Sequence, residues 1–138
     1  MKTNLPALGL LAGSLALLPG CVTDHGAYAP QNTTVNNLED VSTVVLFDRG
    51  AQESVTCDGL EPQRLPDGRL EVAANLRNRQ NRRIQVQLNC EFKDAQGFAI
   101  DSTPFQNFFL DENAQQTVTF VSMNDKAIRY TIRVREAR

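Results

Sequence analysis

The side chains in this sequence that could do chemistry are few: three cysteines, one histidine, scattered carboxylates and a concentration of arginines. A nucleophile–histidine relay needs its base held within hydrogen-bond reach by a rigid scaffold. The one histidine, His25, sits in "TDHGAYAP", a polar, turn-rich stretch that reads as linker. Asp94, Asp101, Asp111 and Glu112 fall at or near predicted turns, where Asp is favoured for its bonds to nearby main chain. None of them reads as half of a glycosidase pair. No phosphate-cradling glycine loop, zinc spacing or cofactor fingerprint occurs. The expectation is a non-enzyme without cofactor or metal.

Cys21 has a different use. Upstream runs "MKTNLPALGLLAGSLALLPGC", a lysine followed by an apolar segment from Leu5 to Leu18. That is the pattern of a secretory signal peptide. The segment is short for a membrane span, which takes roughly 20 apolar residues. Leu18-Pro19-Gly20-Cys21 resembles the lipobox of bacterial lipoproteins, which implies acylation at Cys21 and loss of residues 1–20. The alternative is ordinary signal cleavage that leaves a free thiol. Each buried methylene contributes about 0.8 kcal/mol, so two or three acyl chains form a durable anchor. Val22 stands where lipoproteins retained at the inner membrane carry Asp, so the expected location is the outer membrane, lipid-anchored and facing the periplasm. Residues 21–37 are then the acylated cysteine and a flexible tether, whose about 16 residues reach roughly 22 Å as a coil.

Cys57 and Cys90 form an even pair in an oxidising compartment, and a disulfide between them is expected. Closing about 34 residues would stabilise the fold by at most about 3.8 kcal/mol on the chain-entropy model. The alternative is two buried, unpaired thiols.

The arginines come in two groups. The hairpin "LRNRQNRR" gathers Arg77, Arg79, Arg82 and Arg83, and the final strand presents Arg129, Arg133 and Arg135 on its outward face. Guanidinium forks suit carboxylate and phosphate recognition. Charged side chains at a sheet edge also simply block aggregation, so both readings stand. The run "TPFQNFFL" adds Phe105, Phe108 and Phe109, of which the last two must point to opposite faces of a strand. With 14 basic and 16 acidic residues and no block of either sign, nucleic acid is not an expected partner.

The elements that must position these groups are strands. From residue 40 onward the dominant signal has period two. "RIQVQLNCEF" puts Ile84, Val86, Leu88, Cys90 and Phe92 on one face and Gln85, Gln87, Asn89 and Glu91 on the other. "AIRYTIRVR" directs Ile128, Tyr130, Ile132 and Val134 inward, and "RLEVAANL" does the same for Leu70, Val72, Ala74 and Leu76. Weaker strands are read at 43–47, 54–57, 97–101, 107–110 and 116–121, divided by Pro66-Asp67-Gly68, Asp94 to Gly97 and similar turns. No convincing amphipathic helix intervenes. The expected fold is all-β, an antiparallel immunoglobulin/fibronectin-like β-sandwich over residues 38–138, after a signal peptide and flexible tether.

The run "GRLEVAANLRNRQNRRIQVQLNCEFKDAQGFAID", followed by "DENAQQTVTFVSMNDKAIRYTIRV", resembles the YcfL-like family of small Gram-negative lipoproteins. The likeness rests on Leu76 to Asn78, on Phe92, Asp94 and Gly97, and on Tyr130, across residues 68–134. It implies a periplasmic lipoprotein sandwich and little about activity. The function expected is a non-catalytic interaction or accessory module of the cell envelope. Its partners would be the membrane, through the N-terminal lipid, and an envelope protein. The alternative is a ligand-binding lipoprotein that recognises peptidoglycan or an anionic glycolipid through the arginine-rich hairpin.

Overall fold

A computed structural model describes residues 38–137 of the chain. The signal peptide, Cys21, the tether and His25 lie outside the described residues, as does Arg138. The elements in chain order are α1 (Leu38–Val41), β1 (Val44–Leu46), α2 (Arg49–Ser54), β2 (Val55–Arg64), β3 (Leu70–Asn78), β4 (Ile84–Lys93), β5 (Ala99–Ser102), β6 (Gln106–Leu110), β7 (Gln115–Val121) and β8 (Arg129–Glu136). They form an all-β sandwich. One sheet runs β1-β8-β4-β5, with β6 paired to the other half of β4's free side, and the second runs β2-β3-β7.

The strongest period-two segments became the central strands. In β4 the residues Ile84, Val86, Leu88, Cys90 and Phe92 are all buried, and in β3 so are Leu70, Val72, Ala74 and Leu76. These two inner faces meet Ile132 and Val134 of β8, Leu110 of β6 and Val118 and Phe120 of β7 in one core. Phe92 is fully buried, a contribution of about 2 to 3 kcal/mol from that side chain.

Turn chemistry separates the strands as the sequence implied. Asp94 Oδ1 accepts from the main-chain N–H groups of Gln96 and Phe98 at 2.9 Å each, and Gly97 closes the turn at φ 93°, a left-handed conformation that favours glycine. The carboxylate of Asp94 is therefore a turn former.

Four expectations are corrected. The sandwich is not wholly antiparallel, because β1 pairs in parallel with β8, Val44 against Ile132 and Leu46 against Val134. A short helix, α2, precedes β2, where the sequence pattern implies none; Asp48 caps it by accepting from Ala51 N–H at 2.8 Å. Six residues are too few to show a helical period. The period-two pattern points Ile128 inward, yet it is 55% exposed because β8 begins one residue later. Finally, Cys57 and Cys90 are free thiols. Cys57 lies on β2, the edge of the three-stranded sheet, and Cys90 on β4 in the interior of the five-stranded one. The Cys57 Sγ is engaged instead with Gly59 O at 3.4 Å, at the irregularity of β2, while Cys90 is buried in the core.

Candidate functional site

The outward face of the five-stranded sheet is where most chemistry-bearing side chains converge. The β4–β8 register sets Arg135 opposite Gln87, Arg133 opposite Asn89, Thr131 opposite Glu91 and Arg129 opposite Lys93. These are the wet-face residues of both alternations, so the pleat alone brings them side by side.

Two networks order them. Arg133 forks onto Glu39 of α1, with Nη2 to Oε2 at 2.6 Å and Nε to Oε1 at 3.0 Å, and Nη2 also reaches Glu91 Oε2 at 2.5 Å. Burial by itself would lower the pKa of Arg133; the bonds to Glu39 and the charge of Glu91 outweigh it and raise the pKa, which fixes the cation more firmly. The main-chain carbonyl of Glu39 accepts from Lys93 Nζ and from Thr131 Oγ1, both at 2.9 Å. Lys93 is buried, 3.8 Å from the Glu91 carboxylate. The second network runs across the sheet: Arg135 Nε donates to Gln87 Oε1 at 2.8 Å, and Gln87 Nε2 donates to Asn107 Oδ1 at 3.0 Å.

Aromatic rings lie against the guanidinium groups. The Arg135 carbon sits 3.8 Å from the centroid of Phe105, Arg133 5.8 Å from Phe47 and Arg83 4.7 Å from Phe109. Phe47 and Phe105 approach each other at 6.5 Å between centroids. Half of Phe47 and of Phe109 and most of Phe98 remain in solvent. Two depressions meet at Phe47. One, of about 680 Å³, is walled by Leu38, Glu39, Glu91, Lys93 and Phe98; the other, of about 460 Å³, by Asp48, Gln87, Arg135 and Glu136. Between Gln87 and Glu91 lies the buried Asn89, whose Nδ2 donates to Thr103 O and whose Oδ1 has no hydrogen-bond partner.

The remaining sequence-derived residues are dispersed. Arg77 belongs to the other sheet, tied to Asp58 at 2.7 Å and to Gln115 at 2.8 Å. Arg79 and Arg82 are exposed in the β3–β4 connection, and Arg83 beside them is 3.4 Å from Asp111. That connection is built on Asn78, whose buried Nδ2 donates to the carbonyls of Arg82, Leu110 and Asp111 while Oδ1 accepts from Gln80 N–H. Arg129 is exposed at the start of β8. The seven arginines are therefore not one patch.

Sequence reasoning did not single out Glu39, Phe47 or Lys93. Glu91 and Gln87 were visible as wet-face positions of β4. Glu39 had no such signal, because its partner Arg133 is 94 residues away.

Neither thiol is set up as a nucleophile. Burial pushes Cys90 up to about 12 and also raises Cys57, partly offset by a main-chain hydrogen bond from Gly59. Among the described residues no group of three or more His, Cys, Asp or Glu side chains is placed to hold a metal ion. The face combines fixed charges with half-exposed rings, an arrangement suited to recognition.

Residues 42–136 match the family described as Protein of unknown function (DUF1425). Two crystal structures share the fold. One is cj0090 of Campylobacter jejuni, at 13% identity and a TM-score of 0.58, covering 69% of this chain and 98% of that one. The other is a DUF1425 family member from a Shewanella species, at 22% identity and a TM-score of 0.56, covering 61% of this chain and 79% of that one. No curated protein matches the chain.

Proposed function

The chain belongs to the DUF1425 family, and from that premise we propose that it is a YcfL-like lipoprotein: a non-catalytic interaction module, acylated at Cys21 and held at the periplasmic side of the outer membrane. The observation that carries the reading is the outward face of the five-stranded sheet. Its two central arginines are already committed, Arg133 to two carboxylates and Arg135 to Gln87 and Phe105, while Phe47, Phe98 and Phe109 stay partly or largely in water. Rings presented beside pre-ordered charges give a partner apolar area at a low entropic cost, because the polar neighbours lose little freedom on binding. The signal segment and lipobox-like Leu18 to Cys21 support the location. The raised pKa values of both described thiols support the absence of catalysis by cysteine.

Recognition of peptidoglycan through the hairpin has less support. Asp111 lies against Arg83, and Arg77 is engaged on the opposite sheet, which leaves Arg79 and Arg82.

In-cell cross-linking of the tagged full chain, followed by mass spectrometry, tests the proposal. One dominant envelope protein should be recovered, and Phe98→Asp/Phe109→Asp should reduce it at least tenfold while the melting curve stays in place. Recovery that is unchanged in this variant would overturn the assignment of the face. Sedimentation with purified peptidoglycan that is lost in Arg79→Glu/Arg82→Glu would favour the ligand reading instead. Cys21→Ser should release the chain from the membrane fraction; retention there would refute the anchor.

A further inference from the structure

Each sheet of an open sandwich has edge strands whose outward N–H and C=O groups can template another strand, and proteins usually block them. Most edges here carry such a block. β1 is three residues long, with the Leu46 carbonyl accepting from Gln52 Nε2. β2 is broken by an irregularity between Cys57 and Gly59 and carries Asp58, Glu61, Pro62 and Arg64. β5 has four residues, one of them Asp101, and β6 has five, with Pro104 two positions before it and Asp111 directly after it.

β7 is different. Its sequence is QQTVTFV, seven residues with no charge, no proline and no glycine, and it continues in regular register with β3 from Gln115 to Val121. Among the described residues β3 is its only strand partner. The flanking main-chain bonds, Asn78 N–H to Ala114 O and Ser122 N–H to Leu70 O, fix the phase of the ladder. Even-numbered residues turn their main-chain groups to β3, and those of Gln115, Thr117, Thr119 and Val121 face the free edge.

We propose that β7 is a docking edge on which a second copy of this chain adds its own β7, antiparallel and centred on Val118, joining two three-stranded sheets into one. A twofold axis at Val118 uses the whole strand and is self-complementary. Thr117 of one copy meets Thr119 of the other, and Gln115 meets Val121, all four with main-chain groups pointing into the new ladder. On the inner face Val118 meets its own copy and Gln116 meets Phe120. No like charges oppose each other anywhere in this register, and paired threonines and β-branched residues are favourable cross-strand neighbours. A twofold contact of this kind closes on itself.

The test is the mass of the full-length chain in mild detergent, by light scattering with the detergent contribution subtracted, over a concentration series. The wild-type chain should pass from the mass of one chain to that of two. Thr117→Lys/Thr119→Lys places lysines opposite each other at two pairs and should hold the mass at one chain. Thr119→Pro removes a donor that β3 does not use, so it should do the same without altering charge, and it keeps the test alive if the lysine variant fails to fold. Ala73→Lys, on β3 away from the edge, should leave the dimer intact. A wild-type chain that stays at the mass of one chain throughout overturns the proposal. So does a dimer that persists in both edge variants.

Discussion

The outward faces of the two sheets are written in the same alternating code and end up in different physical states. On the three-stranded sheet the outward residues bond to cross-strand neighbours: Thr117 Oγ1 to Asn75 Oδ1 at 2.6 Å, Arg77 to Asp58 at 2.7 Å, Gln63 to Glu71. These pairs are exposed, and each is worth little on its own. On the five-stranded sheet the outward residues are knitted to a segment from the other end of the domain, through Glu39, and roofed by Phe47 and Phe105. Alternation decides which side chains face outward. It does not decide which of the outward faces is covered, and the covered one collects the buried charges and the apolar rings.

The largest effect that should separate the faces is removal of a central arginine. Arg133→Ala leaves the Glu39 and Glu91 carboxylates close together without their cation, at a cost of about 3 kcal/mol. Arg77→Ala, on the other face, should cost under about 1 kcal/mol. Denaturant unfolding of both variants checks the contrast, and equal losses would erase it.

Next is the alkaline limb of stability. Burial holds the Cys90 thiol at about 12, above its ordinary value of 9.0. In this window the unfolded chain releases a proton that the folded chain keeps, so stability is intact below pH 9 and falls as pH rises toward 12. Cys90→Ala should remove that fall, amounting to about 3 kcal/mol near pH 11, whatever its offset at neutral pH. Thermal melts from pH 8 to 11 would show parallel curves for the two proteins if burial of this thiol had no such effect.

The smallest expected effect lies on the three-stranded sheet. The hydrogen bond from Arg77 lowers the pKa of Asp58, with further help from Thr56. A lowered carboxylate pKa contributes stability above its unfolded value that fades as pH falls through the folded one. Asp58 is solvent-facing, so Asp58→Asn should shift only the foot of the acid unfolding curve, and more so at low salt. A large shift would mean that this face is as cooperative as the other.

Much of the architecture was legible because it depends on local order. β3, β4, β7 and the inward Ile132 and Val134 of β8 were readable from period two, since one buried and one wet face leave that mark on any strand. Asp94 and Gly97 were readable as a turn, since their bonds close within four residues. α2 was not, because six residues show no helical stripe and its only clue was the capping Asp48. The arginine-rich hairpin looked like a site because its charges are near in sequence, yet Arg77 and Arg83 are engaged on different sheets.

The sequence by itself determined which side chains of β3 and β4 line the core, where the chain turns after β4, and that Arg129, Arg133 and Arg135 share an outward face, because the two-residue pleat fixes all of these within a few positions. Only the tertiary structure decided that β1 runs parallel to β8, that Glu39 closes on Arg133, and that Cys57 and Cys90 fall in different sheets as free thiols. Those outcomes depend on which strands become neighbours. Strand neighbours are chosen by the packing of the whole core, and no single segment carries that information.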